Sequence, residues 1–171
     1  EGGTSLDDET YTYSPNDITP ADVDGDGEYE LILKWEPSNS FDSGKDARHN
    51  GNVYIDCYKM NGTKLWRIDM GMNINAGAHF TQMAAYDFDL DGKAEIALKT
   101  APGTKDGKNN YVSEASSIEE IKNTDNSADY RHDKNGGDTG GRVLSGDEYY
   151  TVFQGNTGEA LDTIYYPHSR G

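Results

Sequence analysis

Two stretches of the chain, "DVDGDGEYELIL" at residues 22–33 and "DFDLDGKAEIAL" at residues 87–98, are copies of one pattern. At a constant offset of 65 residues Asp22 falls on Asp87, Asp24 on Asp89, Asp26 on Asp91, Gly27 on Gly92, Glu30 on Glu95 and Lys34 on Lys99. An internal repeat of this length marks an architecture of stacked similar units. The segments that follow, "ELILKW" and "EIALKT", are rich in strand formers and carry no helical period, so each acidic loop leads into a β-strand.

Working outward, "VYIDCYKMNGTKLWRIDM" reads as a hairpin turning at Asn61-Gly62, and "YYTVFQGNTGEALDTIYY" as a second one turning near Asn156 to Gly158. The Asn61-Gly62-Thr63 triplet also fits a glycosylation sequon, but the tight turn accounts for those residues by itself. A short helix is predicted over "SSIEEIKN", capped by Ser116 or Ser117 with Glu119 or Glu120 three residues on. The glycine-rich stretch "NGGDTGG" at 135–141 lacks a preceding strand and a following helix, and reads as a solvated loop rather than a phosphate cradle.

Strands joined by hairpins and long loops, without βαβ alternation, predict an all-β protein made of antiparallel blades of a calcium-binding β-propeller. The 171 residues divided by a 65-residue period give about 2.6 repeats, short of the ~4 to 8 blades that close a ring. Residues 1–171 are therefore expected to form one partial propeller domain, a fragment of a longer protein that exposes strand edges open to self-association.

The acidic loops point to a hard cation. Aspartates at positions 1, 3 and 5 converge on one centre, the glycine at 6 lets the chain reverse, and the carbonyl at 7 turns inward. The expected ligands are Asp22, Asp24, Asp26, the carbonyl of Glu28, and Glu30; then Asp87, Asp89, Asp91, the carbonyl of Lys93, and Glu95. Calcium suits such oxygen sets, whereas zinc wants His or Cys. An EF-hand places a glutamate at position 12, where these loops carry Leu33 and Leu98.

Charge agrees with a cationic partner. With 15 basic residues against 31 acidic ones the net charge is −16, which argues against nucleic acid and anionic membranes. No apolar run reaches the ~18 residues of a membrane span, and no basic, apolar leader follows Glu1, as expected of a processed chain. The single cysteine, Cys57, reads as a small core residue. A hydrophobic fraction of 33% is lean, so bound ions are expected to compensate for a modest core.

The segments "YSPNDITPADVDGDGEYELILKWEPSNS", "GNVYIDCYKMNGTKLWRIDMG", "NAGAHFTQMAAYDFDLDGKAEIALKTAPGT", "ADYR" and "VLSGDEYYTVFQGNTGEAL" resemble the N-terminal part of the propeller of rhamnogalacturonan lyases, polysaccharide lyase family 11. Acidic loops occur in other propellers; "KWEPSNS" and "NAGAHFTQ" carry the resemblance to this family. It implies an eight-bladed, calcium-rich propeller secreted by pectin-degrading bacteria, and β-elimination at the galacturonate of rhamnogalacturonan I, an acidic plant cell-wall polysaccharide. The chain stops long before the several hundred residues of intact members, so blades that contribute to the active site are absent from it.

Elimination asks for a base at C5, a cation to neutralise the uronate and a departing oxygen at C4. Asn39, His79 and Lys99, in loops or at a strand end, are the candidate substrate contacts; no residue is singled out as the catalytic base. The alternative is a non-catalytic, calcium-stabilised propeller fragment that binds carbohydrate or protein. The acidic loops suit it, but the family-specific segments do not call for it.

Overall fold

The computed structural model describes residues 1–40, 49–132 and 139–168. Among the described residues nine strands form two antiparallel sheets in chain order. The first sheet contains β1 (Gly2–Thr4), β2 (Thr10–Ala21), β3 (Glu30–Pro37), β4 (Tyr54–Tyr58) and β5 (Lys64–Asp69). The second contains β6 (Met83–Tyr86), β7 (Glu95–Thr100), β8 (Tyr149–Phe153) and β9 (Ala160–Tyr165). Every pairing is antiparallel, as the predicted all-β, hairpin-linked order requires.

The 65-residue repeat is built into the register. Ile18 pairs with Leu33 and Leu31 with Tyr58 in the first sheet; Met83 pairs with Leu98 and Ile96 with Phe153 in the second. Gly62 at φ +85° and Gly158 at φ +68° make the two expected hairpin turns. A buried cluster runs through both sheets, including Ile32, Ile55, Trp66 and Ile68 from the first and Ile96, Leu98 and Phe153 from the second. Cys57 lies in it, fully buried, and burial pushes its thiol up to about 12. Trp66 donates its indole N–H to the Gly155 carbonyl across the two repeats at 2.7 Å. At Gly155 a Cβ would lie 1.8 Å from the Ala94 carbonyl oxygen, so only glycine fits this seam.

The lean core is supplemented by buried polar pairing. Asp56, fully buried in β4, accepts a fork from Arg67 in β5 (Nε to Oδ1 2.6 Å, Nη2 to Oδ2 2.7 Å) and a bond from the Tyr58 hydroxyl. We expect Arg67→Ala to cost about 3 kcal/mol or more in chemical denaturation, because it strands a buried carboxylate. Replacing both partners with apolar residues, as in D56L/R67M, should recover most of that loss; if it does not, the pair is not the source of the effect.

The helix differs from expectation. It is one turn, Glu119–Lys122, with Ile118 at its N-cap and no side-chain cap. The Ser116 hydroxyl donates to the Thr163 carbonyl and accepts from the Ile118 N–H, so it anchors the segment to β9 instead of closing a capping box. A 3-10 turn, Val112–Ala115, precedes it. Of the stretch 135–141, residues 135–138 lie outside the described residues.

Candidate functional site

The two acidic loops have similar geometry. Asp22 accepts the N–H of Gly25 (2.7 Å) and Gly27 (2.9 Å), while Asp87 accepts those of Asp91 (3.1 Å) and Gly92 (2.9 Å). Glu30 and Glu95, the first residues of β3 and β7, accept the N–H of Val23 and Phe88 and are buried. Asp22, Asp24 and Glu30 bring carboxylate oxygens within 4.8 Å of one another, and so do Asp87, Asp89 and Glu95. Asp24 Oδ1 is buried and makes no hydrogen bond among the described residues. These all-oxygen sets, with one uncompensated buried oxygen, fit a hard divalent cation. Asp26 and Asp91 stand outside the tight groups, where each accepts an N–H, from Glu28 and Lys93 respectively, at 2.8 Å.

Sequence reasoning missed Lys59. Its ammonium lies 2.9 Å from Asp24, 3.9 Å from Asp26 and 4.0 Å from Glu30, and its hydrogen bond holds the Asp24 carboxyl below the usual carboxylate range. The register that pairs Leu31 with Tyr58 and Ile96 with Phe153 puts Gln154 at the corresponding place in the second repeat. One repeat thus carries an internal cation beside its acidic loop, and the other carries a neutral amide.

His79 and Lys99 come together. Residues 79–82 are the 65-residue counterparts of 14–17, which lie within β2; in the second repeat the strand begins only at Met83. The end of β7 therefore lacks the partner that the end of β3 has. The space is a cavity of about 430 Å³ lined by His79, Thr81, Lys99, Glu148, Tyr150 and Tyr166, among others. Lys99 Nζ is 2.7 Å from Glu148 Oε1 and 5.8 Å from the Tyr166 ring centre, and a cation, an anion and two tyrosines thus line one cavity.

Lys34, the counterpart of Lys99, is fully buried and was likewise missed. Its ammonium donates to the carbonyls of Gly77 (3.1 Å), Ala78 (3.4 Å) and Phe80 (2.6 Å), with Glu36 at 3.4 Å and Asp17 at 3.6 Å. It fixes the loop that carries His79. Burial pushes the Glu36 carboxyl up, against the pull of Lys34.

Asn39 is not brought to this cavity. It is buried, donates to the His49 carbonyl (3.3 Å) and accepts the Gly51 N–H (3.1 Å), clamping the chain that enters β4. No helix of the described residues is long and apolar enough to cross a membrane.

Comparison with known proteins follows the same lines. The family model described as rhamnogalacturonan lyase family 11, C-terminal domain, matches residues 1–171. The chain is 54% identical over 170 residues to a protein named rhamnogalacturonan endolyase YesW from Bacillus subtilis (strain 168), covering 99% of this chain and 24% of that protein. It is 53% identical over 171 residues to rhamnogalacturonan exolyase YesX from the same organism, covering 100% of this chain and 25% of that protein. Among solved structures, exotype rhamnogalacturonan lyase YesX superposes with a TM-score of 0.86, covering 100% of this chain and 25% of that one. A Bacillus licheniformis rhamnogalacturonan lyase, 52% identical, superposes with a TM-score of 0.85 over 99% of this chain and 26% of that one. The chain thus spans about a quarter of the length of these relatives, and it belongs to rhamnogalacturonan lyase family 11.

Proposed function

We propose that this chain forms one partial domain, about 2.6 repeats, of a calcium-stabilised β-propeller with eight blades when intact. The whole protein acts outside a bacterial cell on rhamnogalacturonan I and cleaves it by β-elimination at galacturonate. Calcium, held by the carboxylates of Asp22, Asp24, Asp26, Glu30, Asp87, Asp89, Asp91 and Glu95 and the carbonyls of Glu28 and Lys93, supplies positive charge that tempers the −16 of the chain toward an acidic polymer.

The observation that carries the reading is the meeting of His79 and Lys99, from different segments, in one polar and aromatic cavity. Tyr150 and Tyr166 offer faces for a sugar ring. The Lys99 ammonium can exchange its Glu148 partner for a uronate carboxylate, and the His79 imidazole can donate to or accept from a sugar hydroxyl. Asn39 contributes from outside this cavity, through the loop it clamps. We expect His79→Ala and Lys99→Ala each to lower cleavage by the whole protein at least tenfold, measured by absorbance of the unsaturated uronate product, with calcium-dependent melting unchanged. Unaltered rates in both variants would remove the cavity from the site.

A second reading, a binding face without chemistry, draws support from the Lys99–Glu148 pair, which leaves these two charges of the cavity balanced. In either case the exposed apolar residues of β9, Leu161, Ile164 and Tyr165, mark an edge for the continuation of the longer protein or for a second copy.

A further inference from the structure

Thr81 is strained and its hydroxyl is unpaired. Its φ is +59°, a region that a β-branched residue enters only at a cost. The residue is buried, only 7% exposed, and Oγ1 has no hydrogen-bond partner among the described residues. Leaving a buried hydroxyl unsatisfied is unfavourable, and so is its backbone; two adverse features coincide at one residue.

Local folding does not require either of them. Glycine would take the same backbone angle without strain, and valine would fill the same volume without an orphan oxygen. Residue 16, the 65-residue counterpart of Thr81, lies inside β2, so the repeat itself does not impose the left-handed turn. What separates Thr81 from that counterpart is its place in the wall of the cavity of about 430 Å³, which His79, Tyr150 and Tyr166 also line. The loop that bears it is held from behind by Lys34, through the carbonyls of residues 77, 78 and 80, so the turn is imposed by the surroundings and does not relax by drifting.

We infer that Thr81 is a ligand contact: its hydroxyl exchanges a hydrogen bond with a pyranose hydroxyl of the bound saccharide, and the strained turn at Thr81 holds it ready for that purpose. The inference rests on the proposed saccharide site and adds a residue to it. A hydroxyl both donates and accepts, which suits a sugar hydroxyl; a uronate carboxylate is better met by Lys99, which lines the same cavity.

The test is a titration of the whole protein, calcium present, with a rhamnogalacturonan tetrasaccharide, followed by nuclear magnetic resonance of selectively labelled histidine and lysine side chains, in parallel with melting curves. We expect Thr81→Val to weaken binding about three- to tenfold, the worth of one neutral hydrogen bond. Its melting temperature should be unchanged or higher, because the orphan oxygen is gone. Thr81→Ser should retain affinity, and Thr81→Gly should melt higher while binding as weakly as Thr81→Val. Equal affinity in wild type and Thr81→Val would overturn the inference while leaving the saccharide site standing. A lower melting temperature for Thr81→Val would overturn it too, by showing that the hydroxyl serves the fold. Absence of tetrasaccharide-induced shifts at His79 and Lys99 in the wild type would overturn the site itself.

Discussion

Chelation of calcium is expected to lower the melting temperature of this chain by about 10 to 20 °C, and calcium to restore it more fully than magnesium. The size follows from linkage: a site at 100 times its dissociation constant contributes ~2.7 kcal/mol, two such sites contribute about 5, and a domain of this length shifts by ~2 to 4 °C per kcal/mol. The direction follows from composition, since 33% hydrophobic residues and a charge of −16 leave a core that ions help to hold. The two loops should not respond alike. Lys59 remains beside Asp24 when calcium leaves, whereas the second repeat has Gln154 at that place, so hydrogen exchange in chelator should rise more over 87–95 than over 22–30. Asp24→Ala and Asp89→Ala should each reduce calcium binding, and Glu28→Gln should leave it nearly unchanged. Coincident melting curves with and without chelator would rule out calcium as a structural partner of this chain.

The second large effect concerns catalysis. The whole protein is expected to release unsaturated uronate from rhamnogalacturonan I, and to do so far faster than from unbranched polygalacturonate. The 171-residue chain alone is expected to be slower by orders of magnitude. The chain covers about a quarter of the length of its relatives, and an active site assembled from several blades loses the proximity of its groups when most blades are missing; effective molarities of up to ~10⁵ to 10⁸ M are at stake in such positioning. Absorbance of the product, followed on both substrates with calcium present, distinguishes the outcomes. Hydrolysis without new absorbance, or a preference for polygalacturonate, would refute the reaction and substrate. Full activity of the isolated chain would show that the 171 residues contain the whole site.

What the sequence made legible is what depends on local spacing. The acidic loops, the strands they enter and both hairpins follow from alternation, glycine placement and the 65-residue period, which persists in the register of the sheets. What stayed hidden depends on partners far apart in the chain. Lys34 reaches carbonyls 43 to 46 residues away, Lys59 reaches an aspartate 35 residues back, and nothing near either lysine announces it. Ser116 was misjudged for the same reason: its hydroxyl is claimed by the Thr163 carbonyl of another strand rather than by the helix it precedes. His79 and Lys99 were recognisable as candidates, but their meeting arises from the late start of β6, which no pattern in residues 79–82 foretells.

Lys34 gathers oxygens around a positive charge, and a calcium ion in the proposed sites of the acidic loops would do the same with different permanence. A calcium ion equilibrates with the surroundings and leaves when they are poor in it, whereas an ammonium tethered by its own side chain cannot be diluted away. The segment that presents His79 and Thr81 is fastened by the second kind of cation. If calcium occupies the acidic loops as proposed, a medium poor in it would loosen the loops at 22–30 and 87–95 first, and the wall that carries His79 and Thr81 would keep its shape longest.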